Sequence, residues 1–206
     1  MKELLNANRQ LLDVAFSPDG ALIASPGAGP SVQVFRVPSG EPVATLTDGS
    51  GSVSDVAWSA NGTLAATYTD GKVRLWDVNR ATPMSTIDAG PDGTPAVAFD
   101  PSGRRLAVVL GRSMRIWNVT RGAWTAQWAP RARSARSIGW SPDGRRIAAA
   151  VSGNVFEVWD GETGKALLRL PQAASAWLVT WPRQHELVVV PLDETVRVLR
   201  APAPAR

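Results

Sequence analysis

The sequence predicts an all-β chain of five four-stranded antiparallel units. Three observations carry this prediction: a period of about 41 residues, a glycine-closed turn recurring at that period, and short apolar strands flanking every copy. The tetrads Ser17-Pro18-Asp19-Gly20, Ser59-Ala60-Asn61-Gly62, Asp100-Pro101-Ser102-Gly103 and Ser141-Pro142-Asp143-Gly144 set their glycines 42, 41 and 41 residues apart. A degenerate fifth copy, Pro182-Arg183-Gln184-His185, follows 41 later. Proline presets φ at the second turn position and glycine supplies the positive φ, so the tetrads are hairpin turns by mechanism.

The strand before each turn is an apolar, small, aromatic triplet: Val14-Ala15-Phe16, Val56-Ala57-Trp58, Val97-Ala98-Phe99, Ile138-Gly139-Trp140 and Val179-Thr180-Trp181. The strand after it is an apolar run such as Leu106-Ala107-Val108-Val109 or Leu187-Val188-Val189-Val190. A third strand recurs as Val32 to Phe35, Val73 to Trp76, Met114 to Trp117, Phe156 to Trp159 and Val196 to Leu199, its last positions 41, 41, 42 and 40 apart. A weaker fourth strand follows a Gly or Pro break, as in Pro42 to Leu46, Trp124 to Trp128 and Ala166 to Leu170.

Composition removes much of enzymology. Cysteine is absent and histidine occurs once, at His185, so thiol nucleophiles, disulfides, cysteine zinc sites and multi-histidine metal sites are excluded. The 206 residues are 44% hydrophobic and 19% charged, which describes a globular chain with no apolar run of membrane-spanning length. Residues 1–9 lack the continuous apolar stretch of a signal peptide, and a cytoplasmic location is expected. No glycine-rich phosphate loop precedes a helix, and no cofactor is implied.

Trp76-Asp77 and Trp159-Asp160 close the third strand, with Trp117-Asn118 and Phe35-Arg36 as weakened copies. Together with the Ser-Pro-Asp-Gly hairpins and the period, they resemble WD40 repeats, which build β-propeller blades. The resemblance covers essentially the whole chain and implies a propeller of about five four-stranded antiparallel blades. One domain over residues 1–200 is expected, followed by an Ala/Pro tail at 201–206. It also implies that the ring closes when the lone N-terminal strand, Glu3-Leu4-Leu5, pairs with the edge at Val196 to Leu199. One family feature is missing. The glycine-histidine dipeptide expected before each first strand has no histidine in any copy, and Gly49 stands there alone in the second unit. Asp70 and Asp193 occupy the aspartate position of the family's buried Asp-His-Ser/Thr-Trp network, while Gly111 and Gly153 replace it elsewhere. The blades are therefore expected to rely on apolar packing.

Six of the nine tryptophans (Trp58, Trp76, Trp117, Trp140, Trp159, Trp181) fill two repeating slots, which assigns them to packing between blades. The carboxylates repeat as well: Asp19 and Asp143 lie in hairpins, and Asp77 and Asp160 end third strands. Asp13 and Asp55, in equivalent first-strand slots, are the one pair a carboxylate-dependent hydrolase could use.

Charge is the signal that does not repeat. Residues 1–100 hold 6 basic and 11 acidic side chains, residues 101–150 hold 10 and 1, and the remainder 6 of each. Arg104, Arg105, Arg145 and Arg146 follow hairpin glycines, which the WD40 resemblance would put on one face. Arg112, Arg131, Arg133 and Arg136 fall in loops that the resemblance would put on the opposite face, with Trp177 near the same loops. Arginine and tryptophan are enriched at interface hot spots, so Arg112, Arg131, Arg133, Arg136 and Trp177 form the expected partner-binding rim. The sequence reading is a non-enzymatic scaffold for a protein or peptide partner. Nucleic-acid or acidic-partner binding through residues 101–150 is the alternative.

Overall fold

The computed structural model describes residues 14–91, 95–129, 135–152, 154–171, 176–183, 185–191 and 195–200. They belong to two units, Met1–Pro95 and Ala96–Arg206. Among the described residues every regular element is a β-strand, and no helix is present that is long and apolar enough to cross a membrane. The all-β expectation holds, with four four-stranded antiparallel sheets and one of three strands.

In the first unit, β1 (Ala15–Phe16), β2 (Leu22–Pro26), β3 (Ser31–Arg36) and β4 (Pro42–Thr47) form one meander. β5 (Val53–Trp58), β6 (Thr63–Tyr68), β7 (Lys72–Asp77) and β8 (Thr82–Asp88) form the next. Alternation sends Val32, Val34 and Leu46 of the first sheet against Val56, Leu64, Ala66 and Trp76 of the second in one buried cluster. The indole nitrogen of Trp58 donates to the carbonyl of Ala15 at 3.1 Å and pins the two sheets at their inner strands.

In the second unit, β9 (Ala96–Phe99), β10 (Arg105–Leu110), β11 (Ser113–Asn118) and β12 (Ala123–Trp128) precede β13 (Ala135–Trp140), β14 (Arg146–Val151), β15 (Val155–Asp160) and β16 (Ala166–Pro171). β17 (Ala176–Arg183), β18 (Glu186–Pro191) and β19 (Arg197–Arg200) complete it. Trp140 donates to the Ala98 carbonyl at 3.0 Å, repeating the Trp58 contact one sheet pair later. The inner strands run close: a Cβ added at Gly139 would meet the Val179 carbonyl oxygen at 3.3 Å, which accounts for the small residue there. Each of these packed tryptophans adds about 2–3 kcal/mol through apolar burial.

Register contributes a detail that composition does not show. In all four four-stranded sheets the third and fourth strands slip by one residue just before the aromatic that ends the third, at Val34/Phe35, Leu75/Trp76, Ile116/Trp117 and Val158/Trp159. Such a bulge bends the strand and re-aims the side chain beyond it.

A buried charge is added to the apolar packing of the second sheet. Arg74, 2% exposed, sits on β7 two residues before Trp76. Its Nη2 lies 2.9 Å from Asp70 Oδ2 and 2.7 Å from Ser50 Oγ, and its Nε bonds Asp48. The guanidinium also stacks 4.1 Å over the Tyr68 ring. Burial opposes charge on Asp70. The hydrogen bonds from Arg74, the Lys72 amide and Ser50, with the Arg74 charge, outweigh it and hold the carboxyl below its usual range. A buried cation survives here because three oxygens and an aromatic face satisfy it.

The Glu3–Leu5 strand, Asp13, Asp193, Gly153 and the 201–206 tail lie outside the described residues.

Candidate functional site

The hairpins of the third and fourth repeats build one face of the second unit. In the fourth, Gly144 takes φ +66° and donates to the Ser141 carbonyl, closing the turn. The Ser141 hydroxyl donates to Asp143 Oδ1 at 2.5 Å and accepts the Arg146 amide at 2.9 Å. Asp143 Oδ1 also accepts the Arg145 amide at 3.0 Å. The third repeat reaches the same turn with the two residue types exchanged. Asp100 Oδ1 accepts the amides of Arg104 and Arg105 at 3.0 and 2.9 Å, and Oδ2 accepts the Ser102 hydroxyl at 2.8 Å.

These turns divide the arginines that follow them. Arg105 bonds Asp100 Oδ2 at 3.1 Å, donates to the Gly144 carbonyl at 2.7 Å and stacks 4.5 Å over Trp140. Arg146 lies 3.9 Å from Asp143 and 5.6 Å over Trp181. Both are clamps between adjacent sheets. Arg104 and Arg145, one residue earlier, are exposed. Between the two hairpins and Asn118 lies an open groove of about 560 Å³ whose lining includes Asp100, Ser102, Arg104 and Asp143.

At the ends of the third strands, Asp77, Asn118 and Asp160 accept backbone amides of the following turn, from Arg80, Arg121 and Thr163 at 3.1, 2.8 and 2.8 Å. The Arg80 amide first, then its guanidinium, holds the Asp77 carboxyl below its usual range. The Thr163 amide and hydroxyl do the same for Asp160. These carboxylates stay ionised and fully engaged, the opposite of the raised carboxyl a general acid requires. Among the described residues no group of three His, Cys, Asp or Glu is placed to hold a metal ion.

Of the expected rim, Arg112 is exposed in the turn joining β10 to β11. Arg131 and Arg133 lie outside the described residues; Arg136 falls on β13 and Trp177 on β17, with their side chains outside them. The rim's geometry is therefore fixed at Arg112 alone. His185 is exposed in the fifth hairpin turn, and Trp128 packs beneath Gly164, where a Cβ would come within 2.6 Å of its ring. Sequence reading placed Arg104 and Arg145 on one face but did not separate them from Arg105 and Arg146. The doubled arginine after each hairpin glycine was the available signal.

Two family models match the chain. One, described as WD domain, G-beta repeat, matches residues 40–77, from β4 through β7 to the Trp76-Asp77 pair. The other, the anaphase-promoting complex subunit 4 WD40 domain, matches residues 111–184. Both are WD40 models, and they support a WD40-repeat family. The first match shows the phase of the WD40 repeat, since it begins on the outer strand of one sheet and ends on the third strand of the next. WD40 repeats generally mediate protein–protein contact, and their domains are typically non-enzymatic scaffolds. No curated protein matches this WD40 chain as a relative.

Proposed function

We propose that this WD40 chain is a non-enzymatic scaffold whose turns and loops hold a protein or peptide partner. One observation carries the reading. Arg104, Arg112, Arg121 and Arg145 stand exposed on short, hydrogen-bonded turns, with no carboxylate partner among the described residues. A turn whose backbone is already held adds no backbone-ordering cost to binding, so only the side chains lose freedom.

The contact surface we propose is the rim of Arg112, Arg131, Arg133, Arg136 and Trp177. The five sheets serve as blades of one propeller domain over residues 1–200, closed by the Glu3–Leu5 strand on β19. The exposure of Val196 (65%) and Val198 (49%) at that strand supports this closure. A cytoplasmic setting completes the reading, because a fold held by packed strands needs no oxidising compartment; cell fractionation checks it.

The test is capture of partners from a lysate of the source organism by the parent protein and by an Arg131→Ala, Arg133→Ala, Arg136→Ala variant, each with and without nuclease. A protein that survives nuclease and is lost with the variant supports the rim. Recovery that vanishes with nuclease replaces the scaffold with nucleic-acid binding, and equal recovery by both proteins removes the rim.

A further inference from the structure

Asn61, in the hairpin turn of the second repeat, is, we propose, a site of spontaneous deamidation. The backbone nitrogen of Gly62 attacks its carboxamide, and the turn accepts the aspartyl product without rearrangement. The modification needs water alone and stands apart from the scaffold reading.

Of the six asparagines, Asn61 alone precedes glycine; Asn6, Asn8, Asn79, Asn118 and Asn154 precede Ala, Arg, Arg, Val and Val. A side chain on the following residue shields the main-chain nitrogen and hinders ring closure, and glycine has none. The Gly62 nitrogen gives its proton to solvent base and bonds Asn61 Cγ. The bond from Cγ to the carboxamide nitrogen breaks, and that nitrogen takes up a proton and leaves as ammonia. Water attacking the succinimide at Cγ restores the main chain with aspartate at position 61. Water attacking the main-chain carbonyl carbon gives the isoaspartyl linkage instead, which lengthens the chain by one methylene.

The turn leaves room for this chemistry. Asn61 and Gly62 are exposed, and no atom lies within 4 Å of the place a Cβ on Gly62 would take, so base and water reach the pair. Gly62 holds φ +81° and donates to the Ser59 carbonyl at 3.0 Å. That hydrogen bond must open before the nitrogen attacks, so the folded turn reacts more slowly than the unfolded chain. An exposed turn opens at low local free energy, which keeps the reaction within reach of the native protein.

The first and fourth turns show what the product meets. Their third position is already aspartate, and Asp19 and Asp143 accept the hydroxyls of Ser17 and Ser141 at 2.6 and 2.5 Å. Those hydroxyls in turn accept the amides of Leu22 and Arg146 at 2.8 and 2.9 Å. Ser59 holds the same slot in the second turn and accepts the Thr63 amide at 2.9 Å. The second turn is one residue shorter after its glycine, so the serine hydroxyl is the donor that carries over. The Ser17 hydroxyl, then the Ala21 amide, holds the Asp19 carboxyl below its usual range, so this slot favours a negative charge. Deamidation gives the second turn the Ser-x-Asp-Gly pattern of the first and fourth.

The experiment ages the full chain in mildly alkaline buffer, folded and in urea, and follows each asparagine by peptide mapping and mass spectrometry. Amide-to-acid exchange at Asn61 of the folded protein should run about tenfold or more ahead of exchange at Asn79, which is exposed but precedes Arg80. It should be faster in urea and faster as pH rises. Gly62→Ala should slow the exchange about tenfold in urea, where its effect on the fold has no bearing. Asn61→Asp should melt at or above the temperature of the parent. Equal rates at Asn61 and Asn79, an unchanged rate in Gly62→Ala, or exchange in urea that is absent from the folded protein overturns the site. An Asn61→Asp variant that melts clearly below the parent overturns the fit of the product to the turn.

Discussion

Arg74 Nη2 lies 2.9 Å from Asp70 Oδ2, so the third strand of the second sheet is tied to the turn that precedes it. The same side chain, rising from the third strand, also reaches the loop before the first strand of that sheet. Asp48 and Ser50 in that loop are drawn to the guanidinium, so loop, turn and strand remain joined. Arg74→Met should lower stability by about 2 kcal/mol by leaving two carboxylates without their counter-charge. Arg74→Lys should recover only part of it, as read by urea denaturation.

The same cluster should titrate at both extremes. Burial pushes the Tyr68 hydroxyl up to about 12 from an ordinary 10.0. A raised folded value means stability that is complete below the unfolded value and is lost as pH climbs towards the folded one. Tyr68 is the single tyrosine of the chain, so the tyrosinate absorbance of the native protein reports it alone. That absorbance should stay flat through pH 10 and rise near 12; a midpoint near 10 would show an exposed ring. Asp70, held low, contributes stability above the ordinary carboxylate range that fades as pH falls through and below it.

Ala81 takes φ +51° in the slot where the other four-stranded sheets place Gly40, Gly122 and Gly164. A Cβ in the left-handed region costs about 1 kcal/mol. Ala81→Gly should raise stability by about 0.5 kcal/mol or more, with a matching rise in Tm.

Gly71 is the converse case. A Cβ there would stand 1.9 Å from the Gly90 carbonyl oxygen, a collision with backbone, whereas Gly62 at φ +81° opens on empty space. Gly71→Ala should cost about 3 kcal/mol or more and Gly62→Ala about 1 kcal/mol. Equal melting losses for the two would contradict the close approach.

Deleting residues 1–8 tests the proposed closure. The expected result is a clear fall in Tm or aggregation through the freed edge of β19. A deletion variant that melts like the parent refutes the strap.

What repeats was legible in the sequence, because periodicity averages over copies. The hairpins, the strand order and the tryptophan slots of Trp58 and Trp140 all follow from the 41-residue spacing. What depends on a single copy was not. Arg74 reads as one charge in an apolar strand, and its partners Asp48 and Ser50 lie 26 and 24 residues away with nothing in the pattern to join them. The split between Arg104 and Arg105 is set by where β10 begins and which side of it faces the next sheet, a matter of one residue of register. The bulges before Phe35, Trp76, Trp117 and Trp159 left no compositional mark.

Trp58 and Trp140 both hand their indole proton to a main-chain carbonyl of the neighbouring sheet, at Ala15 and Ala98. A main-chain acceptor survives most substitutions of the residue that bears it. Only one side of each junction is therefore exposed to mutation, and neighbouring repeats are free to drift apart in side chains while the seam between them endures. That freedom suits a chain whose copies already differ as much as Asp100-Pro101-Ser102 differs from Ser141-Pro142-Asp143 while folding to the same turn.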